Sequence, residues 1–441
     1  MPASITTITS ILKEYYRDVM VDLLNNKVKL RDEFQKNDDK TMSADGRYVA
    51  YPIHVTRNIG AGAISENNTL PVAGNQGLAS VNVNYRYNYV RIRLSGPALE
   101  AATSNKGSFK RSMELEMKPA INDLARQINR QLWGYGVGIM CRVNGQQATG
   151  TSLNVKDAGG VAYNDSNSLP INPARYLQIG DRVVFVRNAT PTSATDSDIV
   201  ASSTVCDVTA ISADGRTLTL GVATGATLND NDMVVLSPAQ SATQSSVNKE
   251  VMGMLGIDDD TTYLTTLHGV SRSTYPQFRS TVLPLNGDLT TRILQRAWDA
   301  ADEKGGTLST FYSHHSVRAE YLALLTNVKR FVNEGGMRPD AGFDLGAGKK
   351  EKDIEFNGVP WKVDRACPYG MIFGIDKSFN IRFVNKEGDW LDRDGTILMR
   401  VADVDAYEGR FGVFDNYHND RPDGLVRIDG VNSTVDNILY E

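Results

Sequence analysis

Apolar and polar positions alternate with a strict period of two from Val81 to Tyr89. Val81, Val83, Tyr85, Tyr87 and Tyr89 share one face, while Asn82, Asn84, Arg86 and Asn88 share the other. That period predicts a β-strand. The phase then slips, because Val90, Ile92 and Leu94 put apolar groups on the formerly polar face, which predicts a bulge or a change in what each face packs against. Upstream, GRYVAYPIHVTR also reads as a strand. The joining stretch, RNIGAGAISENNTLPVAGNQG from Arg57 to Gly77, is rich in Gly and Asn and much longer than the roughly 2–5 residues a hairpin needs. A long two-stranded ribbon is marginal alone. With no sheet partner nearby in sequence, the pattern points to a ribbon resting on another subunit.

The period changes to three and four in the segment KGSFKRSMELEMKPAINDLARQINRQLW. Phe109, Met113, Met117, Ile121, Leu124, Ile128 and Leu132 form one stripe, and Lys110, Arg111, Glu114, Lys118, Asp123, Arg126 and Arg130 lie opposite. This predicts a helix over 106–133, bent at Pro119, with Glu114 and Lys118 able to pair and GYGVG ending it. At 1.5 Å per residue it is roughly 40 Å long. A shorter amphipathic stripe, Ile11, Leu12, Tyr15, Tyr16, Met20, Leu23 and Leu24, predicts an N-terminal helix, either packed on the body or lying on a neighbouring chain. The polar run QKNDDKTMSADG then reads as an extended connector.

Residues 142–247 lose aromatic groups and fill with Ser, Thr, Asn, Asp and Gly. The short runs DRVVFVR, STVCDVTAIS, RTLTLGV and DMVVLS, with SADGR as a turn, predict an inserted small β-barrel or sandwich, read here as a spacer or stabilising insert. Beyond it, DLTTRILQRAWDAADEKGG predicts a helix with Asp288 near its start and Gly305 after its end, and HHSVRAEYLALLTNVKRFV another. TLSTFYS reads as a strand. KDIEFNGVPWKVDRACPYGMIFGID reads as a meander, and NIRFV, ILMRVADVDAYEGRFGVFDN and DGLVRIDGV as strands. Helices and strands mix without βαβ alternation, so the fold class is α+β.

The chain has 441 residues, a formal net charge of −5 and 41% hydrophobic residues. This composition supports a substantial core and argues against tight nucleic-acid binding, which needs a basic excess. Cys141, Cys206 and Cys367 are scattered, which disfavours disulfides and zinc and predicts assembly in a reducing cytoplasm. No signal peptide and no membrane span are expected.

Catalytic chemistry is not apparent. The five histidines form no metal-ligand spacing, and the neighbours His314 and His315 point in different directions. Asp258, Asp259 and Asp260 lack calcium-loop spacing and read as a solvated turn or helix cap. LGAGKKEK departs from the phosphate-loop pattern and reads as a flexible basic loop. No catalytic residue, cofactor or metal is expected, and the chain reads as a non-enzyme.

The order of elements is specific: arm, long hairpin, spine helix, β insert, mixed domain, returning strands. With YPIHVTRNIGAGA, ENNTLPVAGNQG, ELEMKPAINDLARQINRQLWGYG, GMLGIDDD, GVSRSTYPQFRS and DAYEGRFGVF, it resembles the major capsid protein of tailed bacteriophages, the Hong Kong 97-type fold. The resemblance covers nearly all of the chain except the insert. It implies an N-terminal arm (1–45), an extended loop (46–96), a peripheral domain with the spine helix (97–141), the insert (142–247), a return segment with the axial domain (248–380) and returning peripheral strands (381–441). It implies a shell protein, found in the virion, that forms hexamers and pentamers. Arg57, Asn58, Asn67, Asn68, Leu70, Asn75, Tyr85 and Tyr87 then become inter-subunit contacts of the extended loop. The implied partners are a separate scaffolding protein, a portal protein, a decoration or cement protein and packaged double-stranded DNA, touched weakly and non-specifically. No membrane partner is implied. The basic side of the helix (Lys110, Arg111, Arg126, Arg130) is expected to pair with acids rather than DNA. No lysine lies between Lys40 and Lys106, so a shell held without covalent crosslinks is expected. The rival readings are an encapsulin-type compartment, a carbohydrate-active hydrolase using Asp258 and Asp259, and an adhesin.

Overall fold

A computed structural model describes residues 28–37, 47–97, 106–159, 172–200, 204–332, 354–392 and 396–432, without the side chains of 106–116, 118 and 326–332. The helix expected over residues 11–24, the connector over 38–46, the Glu114–Lys118 pair and the basic loop 345–352 lie outside the described residues. The chain forms two compact units. The first takes the chain up to Leu132 with Glu250–Gly253 and Asn380–Asp420, and the second takes Trp133–Lys249, Met254–Phe379 and the chain from Arg421.

In the first unit the long strand Ala406–Asn419 organises a five-stranded sheet. Asn380–Trp390 and Leu398–Arg400 pair antiparallel along one edge, and Arg86–Ser95 pairs antiparallel along the other. Gln35–Asn37, expected as part of a connector, instead joins the sheet parallel to Asn380–Trp390. The phase slip in the sequence now has its cause. Tyr85 separates two strands: among the described residues Gly77–Asn84 pairs only with Tyr48–Thr56, and Arg86–Ser95 changes partner to the long strand. With a different neighbour on each side of Tyr85, the buried face changes parity. Val81, Val83 and Tyr85 are buried before the switch, Ile92 and Leu94 after it.

The helix Lys106–Trp133 runs unbroken through Pro119. Met117, Ile121, Leu124, Ile128 and Leu132 are buried, as one apolar stripe requires. Gln131 and Asn88 exchange two amide hydrogen bonds of 3.0 and 3.1 Å, which tie helix to sheet. Arg130, read from the sequence as a polar-face residue, is buried and donates to Glu250. Burial of a guanidinium is tolerable only with such a carboxylate beside it. Arg126 stays exposed, 3.7 Å from Asp123.

The second unit holds a six-stranded sheet in the order Thr281–Asp288, Val426–Asn432, Ile372–Ile375, Thr310–Ser313, Val359–Val363 and Ile354–Phe356. Ile354–Phe356 and Val359–Val363 make the expected tight hairpin, turning on Asn357 and Gly358 at φ 51° and 79°. The rest of the expected meander is wrong, because Thr310–Ser313 inserts between Val359–Val363 and Ile372–Ile375. The helix Thr291–Glu303 is capped by the Thr290 hydroxyl, not by Asp288, which belongs to the preceding strand. Leu294, Ala297 and Ala301 of this helix are buried with Phe311, Trp361 and Ile428. The helix His315–Val332 follows the strand Thr310–Ser313.

The same unit contains a closed barrel of six strands: Ile139–Val143, Ser152–Lys156, Arg182–Val186, Cys206–Ile211, Thr217–Leu220 and Met233–Leu236. Its core includes Met140, Cys141, Leu153, Val183, Phe185 and Val234. The boundary at 142 cuts through the first strand, whose first three residues lie upstream in what reads locally as the end of the helix linker. The barrel's two ends meet where the Asn248 amide donates to the Val137 carbonyl at 2.9 Å. Residues 137–248 expressed alone are therefore expected to fold, with dispersed amide resonances and a cooperative melt. A fragment starting at 142 loses the Ile139–Val235 and Cys141–Val234 pairings and is expected to be unfolded. Equal behaviour of the two fragments counts against this boundary.

Candidate functional site

The two ribbon strands pair from Tyr48–Asn84 to Thr56–Gly77, with one irregularity near His54. Nine residues give a reach of about 30 Å. The root is fixed within the first unit. Val49, Val81, Val83 and Tyr85 are buried there, and Asn416 donates to the Asn84 carbonyl at 2.6 Å. The Tyr51 hydroxyl donates to Asp420 at 2.6 Å, and its ring lies 5.9 Å from Phe383 and 6.1 Å from His418. Burial holds the Tyr51 hydroxyl far above its usual range, with the Asp420 charge adding to the effect. It also raises the Asp420 carboxyl, which the Tyr51 hydrogen bond opposes.

Beyond Thr56 the chain leaves the ladder and folds on itself. Asn58 accepts from the Gly60 amide at 2.7 Å, and Asn68 accepts from the Thr69 amide at 2.8 Å. The two legs pass so closely that a Cβ on Gly74 would lie 2.5 Å from the Asn58 side-chain oxygen, and one on Gly60 would lie 2.7 Å from the Val72 carbonyl. Glycine is required at this crossing because no side chain fits.

Arg57, Asn58, Asn67, Asn68, Leu70 and Asn75 are all exposed on this tip. Tyr87 is half-exposed on the following strand, whereas Tyr85 is buried at the root and offers no outer surface. The tip and the start of the strand after it also expose apolar groups, of which the sequence reading placed only Leu70 at the contact. Ile59 and Val72 are each 89% exposed, Leu70 75% and Leu78 66%. The available signal was that these four, with Ile64, are the large aliphatic groups near the two glycines of the crossing.

The acidic run behaves differently from a solvated turn. Asp258 and Asp259 are fully buried in the second unit, and only Asp260 serves a turn, accepting from the Thr262 amide at 3.0 Å. Asp259 lies 3.3 Å from Arg272 and 3.5 Å from Arg427, and accepts from the Tyr263 and Leu264 amides. Sealed in this way, neither carboxyl reaches a substrate. His314 is pushed down to about 3 by burial, with the Arg175, His315 and Arg365 charges adding to the effect. Among the described residues no group of three His, Cys, Asp or Glu side chains is placed to hold a metal ion, and no helix is long and apolar enough to cross a membrane.

No protein-family model and no curated protein matches the chain. Solved structures do. The cyanophage A-1(L) capsid asymmetric unit is similar over 94% of this chain and 93% of that one, at 13% identity and a TM-score of 0.51. Gordonia phage Cozz is similar over 91% of this chain and 86% of that one, at 11% identity and a TM-score of 0.41. The SrpI encapsulin complex from Synechococcus elongatus PCC 7942 is similar over 36% of this chain and 56% of that one, at 13% identity and a TM-score of 0.26. Taken with the spine helix, the ribbon and the sheet, the first of these gives the fold: the chain has the Hong Kong 97-type fold of a phage capsid subunit.

Proposed function

We propose that this chain is the major capsid protein of a tailed bacteriophage, a structural protein of the virion that self-assembles into the icosahedral head shell around the genome. The observation that carries the reading is the match to a phage capsid subunit along nearly the whole chain. The exposed ribbon tip adds to it. In this reading residues 46–96 are the extended loop, residues 97–141 and 381–441 the peripheral domain, and 248–380 the return segment with the axial domain. The barrel is an insert. The tip lies on the next copy and buries Ile59, Leu70, Val72 and Leu78 there. Full burial of one such side chain is worth about 1.5–3 kcal/mol before the cost of ordering. Arg57, Asn58, Asn67, Asn68 and Asn75 supply polar contacts around them. Hexamers and pentamers close the shell with the help of a separate scaffolding protein and a portal, and a cement protein is a further partner. Packaged DNA is touched weakly. Cohesion is non-covalent, since the tip carries no lysine. The sealing of Asp258 and Asp259 by arginines speaks against the hydrolase reading.

The test is expression with the scaffolding protein, followed by electron microscopy. Hollow icosahedral particles are expected from the native chain. Replacing residues 58–76 by a short Gly-Ser bridge is expected to leave a soluble, folded subunit that forms no closed shells. Normal particles from the shortened chain overturn the role of the tip, and a native chain that stays monomeric and hydrolyses carbohydrate overturns the capsid reading.

A further inference from the structure

The strand Arg86–Ser95 begins one residue after the ribbon ends, and it carries an open, basic and aromatic strip. Tyr87, Tyr89, Arg91 and Arg93 are all exposed at alternate positions and so share one face of the sheet. Across the ladder, Arg91 stands directly opposite Arg410, and Arg93 opposite Glu408. Like charges placed directly opposite each other are destabilising. Here both guanidiniums converge on the Glu408 carboxylate, Arg91 at 3.0 Å and Arg410 at 2.6 Å, while they remain 61% and 51% exposed. Arg93 forms no ion pair among the described residues. One carboxylate thus pairs with two guanidiniums and faces a third across the ladder. Beside them the half-exposed rings of Tyr87 and Tyr89 pack edge-on against Phe414 at 5.1 and 5.3 Å, which makes a firm aromatic platform.

We propose that this strip is a second assembly contact, separate from the ribbon tip, that receives a carboxylate-bearing surface of another copy of this chain. The proposal rests on the shell reading above. Arginine and tyrosine are the residue types that dominate the centres of protein interfaces. Charge favours another copy as the occupant. Residues 47–97 hold five arginines (Arg47, Arg57, Arg86, Arg91 and Arg93) against the single acid Glu66, whereas the chain as a whole is at −5, so the acid surplus lies in the rest of every copy. A guanidinium fork matches a carboxylate in two-point geometry. Three arginines around one acid make a small patch beside the extended basic stripe that a nucleic-acid backbone demands. The strip also continues directly from the ribbon, so one copy can engage the tip and the strip together.

The experiment compares shell yield for the native chain, Arg93→Glu, and the triple variant Arg91→Gln, Arg93→Gln, Arg410→Gln, each expressed with the scaffolding protein, using the tip-shortened chain as a reference. Arg93→Glu keeps both ion pairs of Glu408 and only adds a like charge across the ladder from it, so its subunit is expected to fold and to melt slightly below the native one even if the triple variant does not fold. Its shell yield at low salt is expected to fall about tenfold, because like-charge juxtaposition blocks association, and to recover partly at high salt as the repulsion is screened. Native yield from Arg93→Glu, with shells still abolished in the tip-shortened chain, overturns this contact and leaves the shell reading standing. Normal shells from Arg93→Glu that enclose less nucleic acid overturn it too, and give the strip to phosphate. A native chain that forms no shells removes the reading and the inference together.

Discussion

Arg427→Met is expected to unfold the second unit at denaturant concentrations where the native chain is intact. Arg427 is fully buried in the strand Val426–Asn432, which is paired on both sides. It donates to the Asp258 carbonyl, lies 2.8 Å from Asp429 and 3.5 Å from Asp259, and places its guanidinium 5.3 Å from the Tyr263 ring centre. Removing one member of a buried ion pair costs about 3–5 kcal/mol, because the carboxylate left behind is neither solvated nor fully paired. A domain holds roughly 5–15 kcal/mol in all. Arg182→Met breaks an exposed pair with Asp207 at 3.2 Å and is expected to lower the stability by about 1 kcal/mol or less, a small shift in midpoint. Similar midpoints for the two variants would contradict this ranking. The same cluster predicts an opposite effect at Asp258. Burial pushes its carboxyl up to about 7, against the opposing Arg427 charge. The folded chain therefore keeps a proton that the unfolded chain releases near pH 4. This group's contribution is complete below about pH 4 and is lost as pH rises through about 7. Asp258→Asn should match the native chain in acid and exceed it at pH 8. Parallel stability curves would refute the assignment.

Met117→Asp is expected to abolish folding of the first unit, whereas Arg126→Ala is expected to leave it unchanged. Met117 is 1% exposed and shares its stripe with Ile121, Leu124, Ile128 and Leu132. A carboxylate forced into that stripe has no partner and costs several kcal/mol whether it ionises or takes up a proton. Arg126 is 61% exposed in a loose pair with Asp123, and single changes at such positions move stability by roughly 0.5 kcal/mol or less. Soluble yield and thermal unfolding of the two variants provide the measurement. Equal outcomes mean that the stripe is out of phase.

Local periodicity carried much of this architecture. The spacing of Met117 to Leu132 gave the helix, the alternation from Val81 gave the ribbon strand, and the Asn357–Gly358 pair gave the tight turn. What stayed hidden was pairing between distant segments. Nothing near Arg86–Ser95 says that its partner is Ala406–Asn419, or that Thr310–Ser313 slips between two strands that follow one another in sequence. The strip of Arg91, Arg93 and Arg410 exists only once that pairing does. Burial of charge was equally illegible. Arg130, Asp258 and Asp259 read as surface residues because each is costly to bury alone, and the arginines and acids that accompany them in burial are up to 169 residues away. On the ribbon tip the polar residues and Leu70 were legible and the other aliphatic ones were discounted, because a loop rich in Gly and Asn does not reveal which of its side chains are left facing solvent.

The barrel begins and ends at one point, with Val137 and Asn248 joined by a backbone hydrogen bond. In the proposed reading the barrel is an insert, and an insert whose ends meet at adjacent atoms is built as a cassette. The stretch between is expected to tolerate lengthening, whereas its removal also gives up the hydrogen bonds of Arg175 and Tyr176 to the Cys367 and Ala366 carbonyls. If the shell assembles as proposed, the joint between Val137 and Asn248 is the place to splice in an enzyme or an antigen for display in many copies.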